Sequence, residues 1–321
     1  MEKNKICIIG GSGFIGARLI KILQKKRILN IDLKKSNLLN NHDFKADIRE
    51  YDSFNKMLHD IRALVLLAAE HKDNILPVDR YYETNLNGTI NVIRAAEENK
   101  VNHIIFTSSV AVYDLDESFP DETSECHPFN DYGKSKFLAE MELIKWQKKD
   151  PQNRILHIIR PTVVFGEGNR GNFYNLINQV SKKRFMMIGN GENKKSIAYV
   201  GNLVEFIKSL LEDKTAGTFT FNYADEPNLN MNGLIKIIKN ELNQKQIRFH
   251  IPYKIGLIIG KCFDLLVRLF GVKISISSIR IKKFCADTIF NTKKLKSKNF
   301  KPPYSLEDAI INTIKYDFPN R

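Results

Sequence analysis

Tyr132 and Lys136 stand four residues apart in Tyr132-Gly133-Lys134-Ser135-Lys136. On a helix that spacing puts both side chains on one face. An ammonium beside a phenol stabilises the phenolate and lowers a pKa that is otherwise about 10. Tyr132 then becomes a base able to take the proton of an alcohol near neutral pH. Ser109 follows the apolar run Asn102-His103-Ile104-Ile105-Phe106-Thr107-Ser108 and offers a hydroxyl that can hold the same oxygen in place. A Tyr-x-x-x-Lys pair is common by itself, so its surroundings decide the reading.

Those surroundings begin with Ile6-Cys7-Ile8-Ile9-Gly10-Gly11-Ser12-Gly13-Phe14-Ile15-Gly16. A buried apolar strand breaks into glycines, and helical spacing resumes through Ala17 to Leu23. Strand, glycine turn and helix form the context of a dinucleotide fingerprint, with the pyrophosphate at the helix N-terminus. Two registers fit: Gly11, Gly13 and Gly16, or Gly10, Gly13 and Gly16. Arg27-Ile28-Leu29-Asn30-Ile31-Asp32 reads as a second strand. Asp32 falls where a carboxylate would accept from an adenosine ribose, which favours NAD over NADP, although Lys34 and Lys35 follow directly. Beside a nicotinamide, Tyr132 would deprotonate a substrate alcohol while the carbon's hydride leaves to the cofactor.

The elements that must position these residues alternate. Phe44–Arg49 reads as a short extended piece and a helix is expected around Tyr51–Ile61. Ala63–Ala69 is an apolar strand, roughly Pro77–Asn99 a long helix, and Asn102–Ser108 a strand. Helix Tyr132–Lys149 and strand Arg154–Ile159, closed by Arg160-Pro161, follow a Pro- and acid-rich loop. Apolar strands alternating with helices imply an α/β fold, a Rossmann-type doubly wound parallel sheet. Asp32, Ala68, Ala69, Ser108, Ser109 and the glycine turn all fall at strand carboxyl ends, where such sheets bind ligands.

Past residue 165 the alternation loses regularity: helix Asn172–Lys183, amphipathic Gly201–Glu212, strand Thr218–Tyr223, helix Met231–Asn243. The expected division is a nucleotide-binding domain at 1–165, with 196–224 returning to it, and a smaller, mostly helical substrate domain at 166–321. In Tyr253–Gly271, Lys261, Asp264 and Arg268 form a narrow polar stripe on an otherwise apolar helix, and charges mid-segment argue against a transmembrane span. Packing within the second domain or against another subunit is expected, with a membrane-surface helix as the lesser alternative.

Hydrophobic content of 43% and charged content of 27% describe an ordinary globular chain of 321 residues. The net charge of +14 is lopsided near the end: Lys273 to Lys301 holds nine basic residues and one acid, Asp287. Such a stretch would attract a diphosphate, an acidic partner or an anionic membrane surface, although a solvated lysine-rich surface is the plainer reading for most of these side chains, and no aromatic–basic module supports nucleic-acid binding. Cys7, Cys126, Cys262 and Cys285 lie far apart, and the charged N-terminus (Glu2, Lys3, Lys5) enters a strand at once. A reduced, cytoplasmic protein without a signal peptide is expected. No His or Cys spacing suggests a metal.

Together these motifs resemble the extended short-chain dehydrogenase/reductases, in their NAD-dependent nucleotide-sugar epimerase/dehydratase group. The resemblance covers nearly the whole chain. It runs through Gly10–Gly16, Asp47-Ile48, Leu67-Ala68-Ala69, Asn85-Leu86-Asn87-Gly88-Thr89, Phe106–Tyr113 and Tyr132–Lys136. It continues with Arg160-Pro161, Tyr199–Leu203 and Pro302–Asp308. It implies a cofactor across Gly10, Gly13, Phe14, Ile15 and Gly16, with Gly11 easing the turn. Asp32 would hold the ribose, Asp47 and Ile48 the adenine side, and Leu67, Ala68 and Ala69 the middle. Lys136, beside Tyr132, would also reach the nicotinamide ribose, and Asn85 would steady the active-site helices from behind the cofactor. Ser109, Tyr132 and Lys136 become catalytic, a nucleoside diphosphate sugar the substrate of the C-terminal domain, and a homodimer the assembly.

Departures from the family pattern narrow the reaction. Val110 and Ala111 stand where 4,6-dehydratases carry an Asp-Glu pair, so dehydration is not expected. Val163 replaces an Asn that often contacts substrate phosphates, with Asn172 and Asn175 close downstream. Lys195 replaces a frequent Arg, a point charge instead of a fork, and Arg280, Lys282 or Lys283 could add a phosphate contact. The leading expectation is a UDP-hexose or UDP-N-acetylhexosamine 4-epimerase working through a 4-keto intermediate. The alternative is an NAD(P)H-dependent 4-ketoreductase of a nucleotide-linked 4-keto-6-deoxy sugar in surface polysaccharide synthesis. A non-catalytic dinucleotide sensor on the same fold is the third.

Overall fold

The computed structural model describes residues 4–23, 27–36, 38–39, 42–72, 75–114, 117–245, 250–270 and 277–319. Glu2, Lys3, Gly271 and Lys273, used above, lie outside them. In chain order the elements begin β1 (Lys5–Ile9), α1 (Phe14–Ile22), β2 (Arg27–Asp32), β3 (Asp43–Lys45) and β4 (Ile61–Leu66). Next come α2 (Asp79–Tyr81), a π-helical turn Tyr82–Asn87, α3 (Gly88–Glu98), β5 (His103–Thr107), α4 (Asp131–Lys148) and β6 (Ile155–Pro161). The second half runs β7 (Val163–Phe165), α5 (Asn172–Ser181), β8 (Met187–Ile188), β9 (Lys194–Lys195), β10 (Ile197–Tyr199), α6 (Val200–Leu210) and β11 (Gly217–Tyr223). It ends β12 (Leu229–Asn230), α7 (Met231–Glu241), β13 (His250–Ile251), α8 (Tyr253–Phe270), α9 (Ser278–Cys285), α10 (Lys293–Ser297) and α11 (Leu306–Asp317).

The chain divides into two compact units, 1–162 with 200–224 and 291–303, and 163–199 with 225–290 and 304–321. In the first unit seven strands form one sheet in the order β11-β6-β5-β4-β1-β2-β3, every pair parallel. Successive strand residues face opposite sides of the sheet. Cys7, Ile9, Leu29, Ile31, Leu64, Leu66, Ile104, Phe106, Leu156 and Ile158 join one core with Val92, Ala139, Leu143 and Trp146 of α3 and α4. The opposite alternation, Ile6, Ile8, Ile28, Val65 and Ile105, is buried too. That is why these strands read as continuous apolar runs: a parallel sheet has helices on both faces. Strand order reverses beside β1, which places the glycine turn at the switch point where doubly wound sheets take ligands.

Some expected boundaries move. In place of a helix at Tyr51–Ile61 there are two 3₁₀ turns, Tyr51–Ser53 and Asn55–Leu58, which bury Phe54 and Leu58 before β4 starts. The long helix expected from Pro77 starts at Asp79 and carries the π turn in its first half. The strand expected to reach Ala69 leaves the ladder after Leu66, where the Leu67 and Ala68 N–H groups both donate to the Ile9 carbonyl. Segment 291–303 also belongs to the first unit, through α10 against β11.

Among its described residues the second unit is built from helices and three two-stranded pairs, β7 with β10, β9 with β12 and β8 with β13. Its core is aromatic at one end: Phe165 lies 4.3 Å from Phe173 and 5.6 Å from Tyr199, centroid to centroid. α7 packs on α5 and α11, and α8 packs on α9.

Candidate active site

The glycine turn is shaped by contacts that a side chain would block. Gly10 has a φ of +89°, and a Cβ there would stand 2.5 Å from the Ala68 nitrogen. A Cβ at Gly16 would overlap Gly11 and lie 2.5 Å from the Gly10 carbonyl oxygen, so α1 sits tightly on the turn. Gly13 caps α1 with no side-chain hydrogen bond, whereas Asn130, Asn230, Ser277 and Ser305 cap α4, α7, α9 and α11 through their side chains. The cradle and the uncapped N-terminus fit a dinucleotide pyrophosphate. Phe14 and Ile15 open α1, half-buried, with the Arg18 guanidinium 4.2 Å from the Phe14 ring centroid.

Gly11 has a different reason from the one expected. Its φ is not among the positive ones, but a Cβ would overlap Oδ1 of Asn30. Asn30 is fully buried in β2 and donates to Ser12 Oγ (3.0 Å) and Asp43 Oδ1 (2.7 Å). Asp32 accepts from the Ser12 N–H at 2.9 Å and the Lys34 N–H at 3.2 Å, which ties the acid at the end of β2 to the turn. A lone Asn inside Ile28-Leu29-Asn30-Ile31 is the signal that sequence reading passed over.

Further along the strand ends, Asp47 grips Arg49, with Arg49 Nη2 at 2.6 Å, and this hydrogen-bonded pairing holds its carboxyl below the usual range. Ile48 is buried, and a Cβ on Gly88 would lie 2.6 Å from its Cδ1, so α3 approaches closely there. Leu67, Ala68 and Ala69 are partly exposed beyond β4. Asn85 lies in the π turn, 1% exposed. It accepts from the Glu70 N–H (2.8 Å) and donates to the Glu70 carbonyl (3.0 Å) and to Ser135 Oγ (2.9 Å). Ser135 Oγ donates to the Tyr132 carbonyl at 2.8 Å, so Asn85 links the loop after β4 to the first turn of α4.

Ser109 sits just past β5 and its Oγ accepts from the Ala111 N–H at 3.1 Å, capping a single turn Val110–Val112. Tyr132 is the second residue of α4, with its ring centroid 6.3 Å from that of Tyr81. Lys136 is 1% exposed, its Nζ 4.1 Å from the Phe106 ring centroid on β5. Burial pushes the Lys136 ammonium down to about 7, and Glu140 works the other way. Gly133 closes the constellation: a Cβ there would overlap the Ala111 carbonyl oxygen, so the start of α4 lies directly on the Ser109 turn. Thr107 Oγ1 and Ser108 Oγ, buried at the same strand end, have no hydrogen-bond partner among the described residues.

Arg160, read as part of a motif, is a buried anchor. Its guanidinium makes a bidentate pair with Glu140 of α4 (3.1 and 2.6 Å) and donates to the Tyr113 hydroxyl at 2.8 Å. Burial works against its charge, yet Glu140 holds the guanidinium more firmly protonated than usual. Tyr113 in turn donates to Asn222 Oδ1 of β11 at 2.8 Å. The sheet thereby grips the helix that carries Tyr132 and Lys136.

The candidate substrate residues lie in the second unit. Asn172 and Asn175 are exposed at the start of α5, and Val163 is exposed on β7. Lys195 lies on β9 and donates to the Lys283 (3.0 Å) and Ala286 (2.6 Å) carbonyl oxygens at the end of α9. Burial lowers its ammonium to about 8, with Asp287 opposing. Arg280 is exposed in the first turn of α9. An open groove of about 920 Å³ in this unit is lined by Asn190, His250, Tyr253, Lys282 and Cys285 among others. Among the described residues no group of His, Cys, Asp and Glu could hold a metal.

Residues 6–223 match the family model described as the NAD dependent epimerase/dehydratase family. The chain is 46% identical over 316 residues to an N-acetyl-alpha-D-glucosaminyl-diphospho-ditrans,octacis-undecaprenol 4-epimerase of Escherichia coli O157:H7, covering 98% of this chain and 96% of the relative. It is 28% identical to a UDP-glucose 4-epimerase of Vibrio cholerae over 97% and 95% of the two chains. The fold matches a UDP-glucose 4-epimerase of Thermotoga maritima at a TM-score of 0.75 and 20% identity, covering 97% and 98%. The chain therefore belongs to the NAD-dependent epimerase/dehydratase family of the extended short-chain dehydrogenase/reductases.

Proposed function

We propose that this protein is an NAD-dependent 4-epimerase of a hexose or N-acetylhexosamine carried on a diphosphate, working through a 4-keto sugar. One observation carries the reading: identity of 46% along almost the full length of both chains to a sugar 4-epimerase, with Ser109, Tyr132 and Lys136 all present. Bound NAD supplies the hydride acceptor and, on the return, the donor. The chain's own groups handle the proton. Ser109 Oγ hydrogen-bonds the sugar 4-oxygen, and Tyr132 takes its proton and later returns it. Lys136 as an ammonium stabilises the phenolate between those events. Val110 and Ala111, beside Ser109, offer no proton donor for eliminating water. The cofactor residues of this reading are Gly10, Gly13, Phe14, Ile15, Gly16, Asp32, Asp47, Ile48, Leu67, Ala68 and Ala69, with Asn85 positioning from behind.

A nucleotide carrier is the reading supported by the V. cholerae relative. A polyprenol carrier is favoured by the relative of higher identity and by two departures, Val163 and Lys195, at positions where nucleotide-sugar epimerases often grip phosphates. A homodimer in the cytoplasm completes the proposal, checked by light scattering and cell fractionation.

The test is to denature the purified protein and measure released NAD. UDP-N-acetylglucosamine and N-acetylglucosaminyl-diphospho-undecaprenol are then offered separately without added cofactor, with products read by NMR. Epimerised product in either arm supports the reading and identifies the carrier. Turnover confined to 4-keto sugars with added NADH or NADPH overturns it in favour of the ketoreductase.

A further inference from the structure

The apolar segment expected to pack within the second domain or against another subunit forms α8, and among the described residues only one of its faces is packed. A Cβ on Gly256 would lie 2.5 Å from Ile188 Cγ2, and one on Gly260 would lie 2.8 Å from Ile281 Cδ1 and Ser278 Cα. α8 therefore lies close on β8 and α9. At about 100° per residue the opposite face carries Ile255, Ile258, Ile259, Leu265, Leu266 and Leu269. All six are exposed, from 40% at Ile259 and Leu266 to 65% at Leu269. They follow the spacing i, i+3, i+4, i+10, i+11 and i+14, one unbroken stripe with exposed Cys262 inside it. Lys254, Lys261 and Arg268 recur every seven residues along one border of the stripe, all exposed.

The neighbouring α9 adds Arg280, Lys282, Lys283 and an Ile279 that is 59% exposed. Among the described residues of α8 and α9 there are six cations and one carboxylate, Asp264. That carboxylate turns inward and accepts from the Ser278 N–H at 3.1 Å. An apolar stripe edged by lysine and arginine is what lies flat in the headgroup region of an anionic bilayer. Each cation near such a surface adds attraction. No helix among the described residues is long and apolar enough to cross a membrane. A second copy fits less well, because a two-fold pairing of this face would bring the Lys254, Lys261 and Arg268 border of one copy against that of the other.

We propose that α8 and the basic face of α9 dock the protein on the surface of an anionic phospholipid bilayer. The proposal deepens the polyprenol-carrier reading, since that substrate is itself embedded in a membrane, but its test does not depend on turnover.

Full-length protein is floated with phosphatidylcholine vesicles and with vesicles containing phosphatidylglycerol, at low and high salt. The wild type should float with the anionic vesicles and lose most binding at high salt. An Ile258→Gln/Leu265→Gln/Leu269→Gln variant should partition at least tenfold less while still releasing NAD on denaturation. A fluorophore on Cys262, with Cys126 and Cys285 replaced by Ser, should shift to the blue on binding, which purely electrostatic contact would not produce. Absence of flotation, or equal flotation of the variant, would overturn the proposal. So would a wild-type dimer that the variant converts to monomer, with vesicles bound by neither. Flotation together with turnover of UDP-sugars alone would leave the membrane site standing and remove the polyprenol carrier.

Discussion

A side chain at Gly133 would drive its Cβ into the carbonyl oxygen of Ala111, with the carbonyl carbon only 2.9 Å away. The absence of one side chain thus lets the N-terminal turn of α4 rest on the turn that Ser109 caps. Gly133→Ala must push the two apart. The expected loss is roughly 1–3 kcal/mol of stability and about a hundredfold in kcat, because a small displacement of the proposed base, Tyr132, is costly. NAD content should stay at the wild-type level, since the cradle at Gly10 is untouched. Tyr132→Phe should lose about a thousandfold in kcat with unchanged stability. Denaturation curves, released NAD and turnover measured on both variants separate misplacement of the base from its removal.

Lys136 should make the fold dependent on pH above neutrality. Its pKa is depressed by burial to about 7, so below that pH the native state holds a buried charge at full cost. As pH rises from about 7 toward the unfolded value the unfolded chain binds more protons, and stability rises by roughly 1.4 kcal/mol per unit. Lys136→Met removes that slope. Urea unfolding at pH 6 to 9 should show the variant more stable at pH 6 and the difference shrinking by pH 9, while turnover is lost throughout. Parallel slopes in the two proteins would show that the ammonium is not desolvated.

The Arg160–Glu140 pair should be worth keeping whole more than it is worth having. Glu140→Gln strands a buried guanidinium and should cost roughly 3–5 kcal/mol. The double change Arg160→Met/Glu140→Met should cost much less than the sum of the singles. A double-mutant cycle by chemical denaturation measures this. Because α4 carries Tyr132 and Lys136, kcat should fall in Glu140→Gln and partly recover in the double variant.

Acid should weaken the first unit before ordinary carboxylates titrate. His103 and His157 are buried side by side, ring nitrogens 3.2 Å apart, and burial first, with their mutual repulsion at His103, holds them near 3 and 4. Their native pKa values lie below the unfolded one. The contribution is therefore whole above about 6.5 and is lost as pH falls toward 4. Between pH 6 and 5 the slope should approach two protons, roughly 2.7 kcal/mol per unit. His157→Phe, which keeps a ring against Phe219 (5.5 Å between centroids), should cut the slope to about one proton in thermal unfolding followed across that range.

What the sequence determined alone was whatever depends on local order. Apolar runs of strand length, the glycines at their ends and the four-residue step from Tyr132 to Lys136 are local facts. They suffice for a doubly wound sheet, and for the expectation of a nucleotide at its switch point and of Tyr132 and Lys136 on one helix face. Only the tertiary structure decided which close approaches those residues serve. Gly11 makes room for a buried Asn30, Gly133 for a carbonyl twenty-two residues earlier, and Arg160 grips α4 through Glu140. The same limit hid α8. Periodicity shows that a helix has an apolar side, but whether that side meets protein or solvent depends on which face the neighbours cover. Here Gly256 and Gly260 seat α8 on its partners and leave the apolar stripe facing outward. Space shared by residues distant in the chain is not written in their spacing, so the packing alone could reveal it.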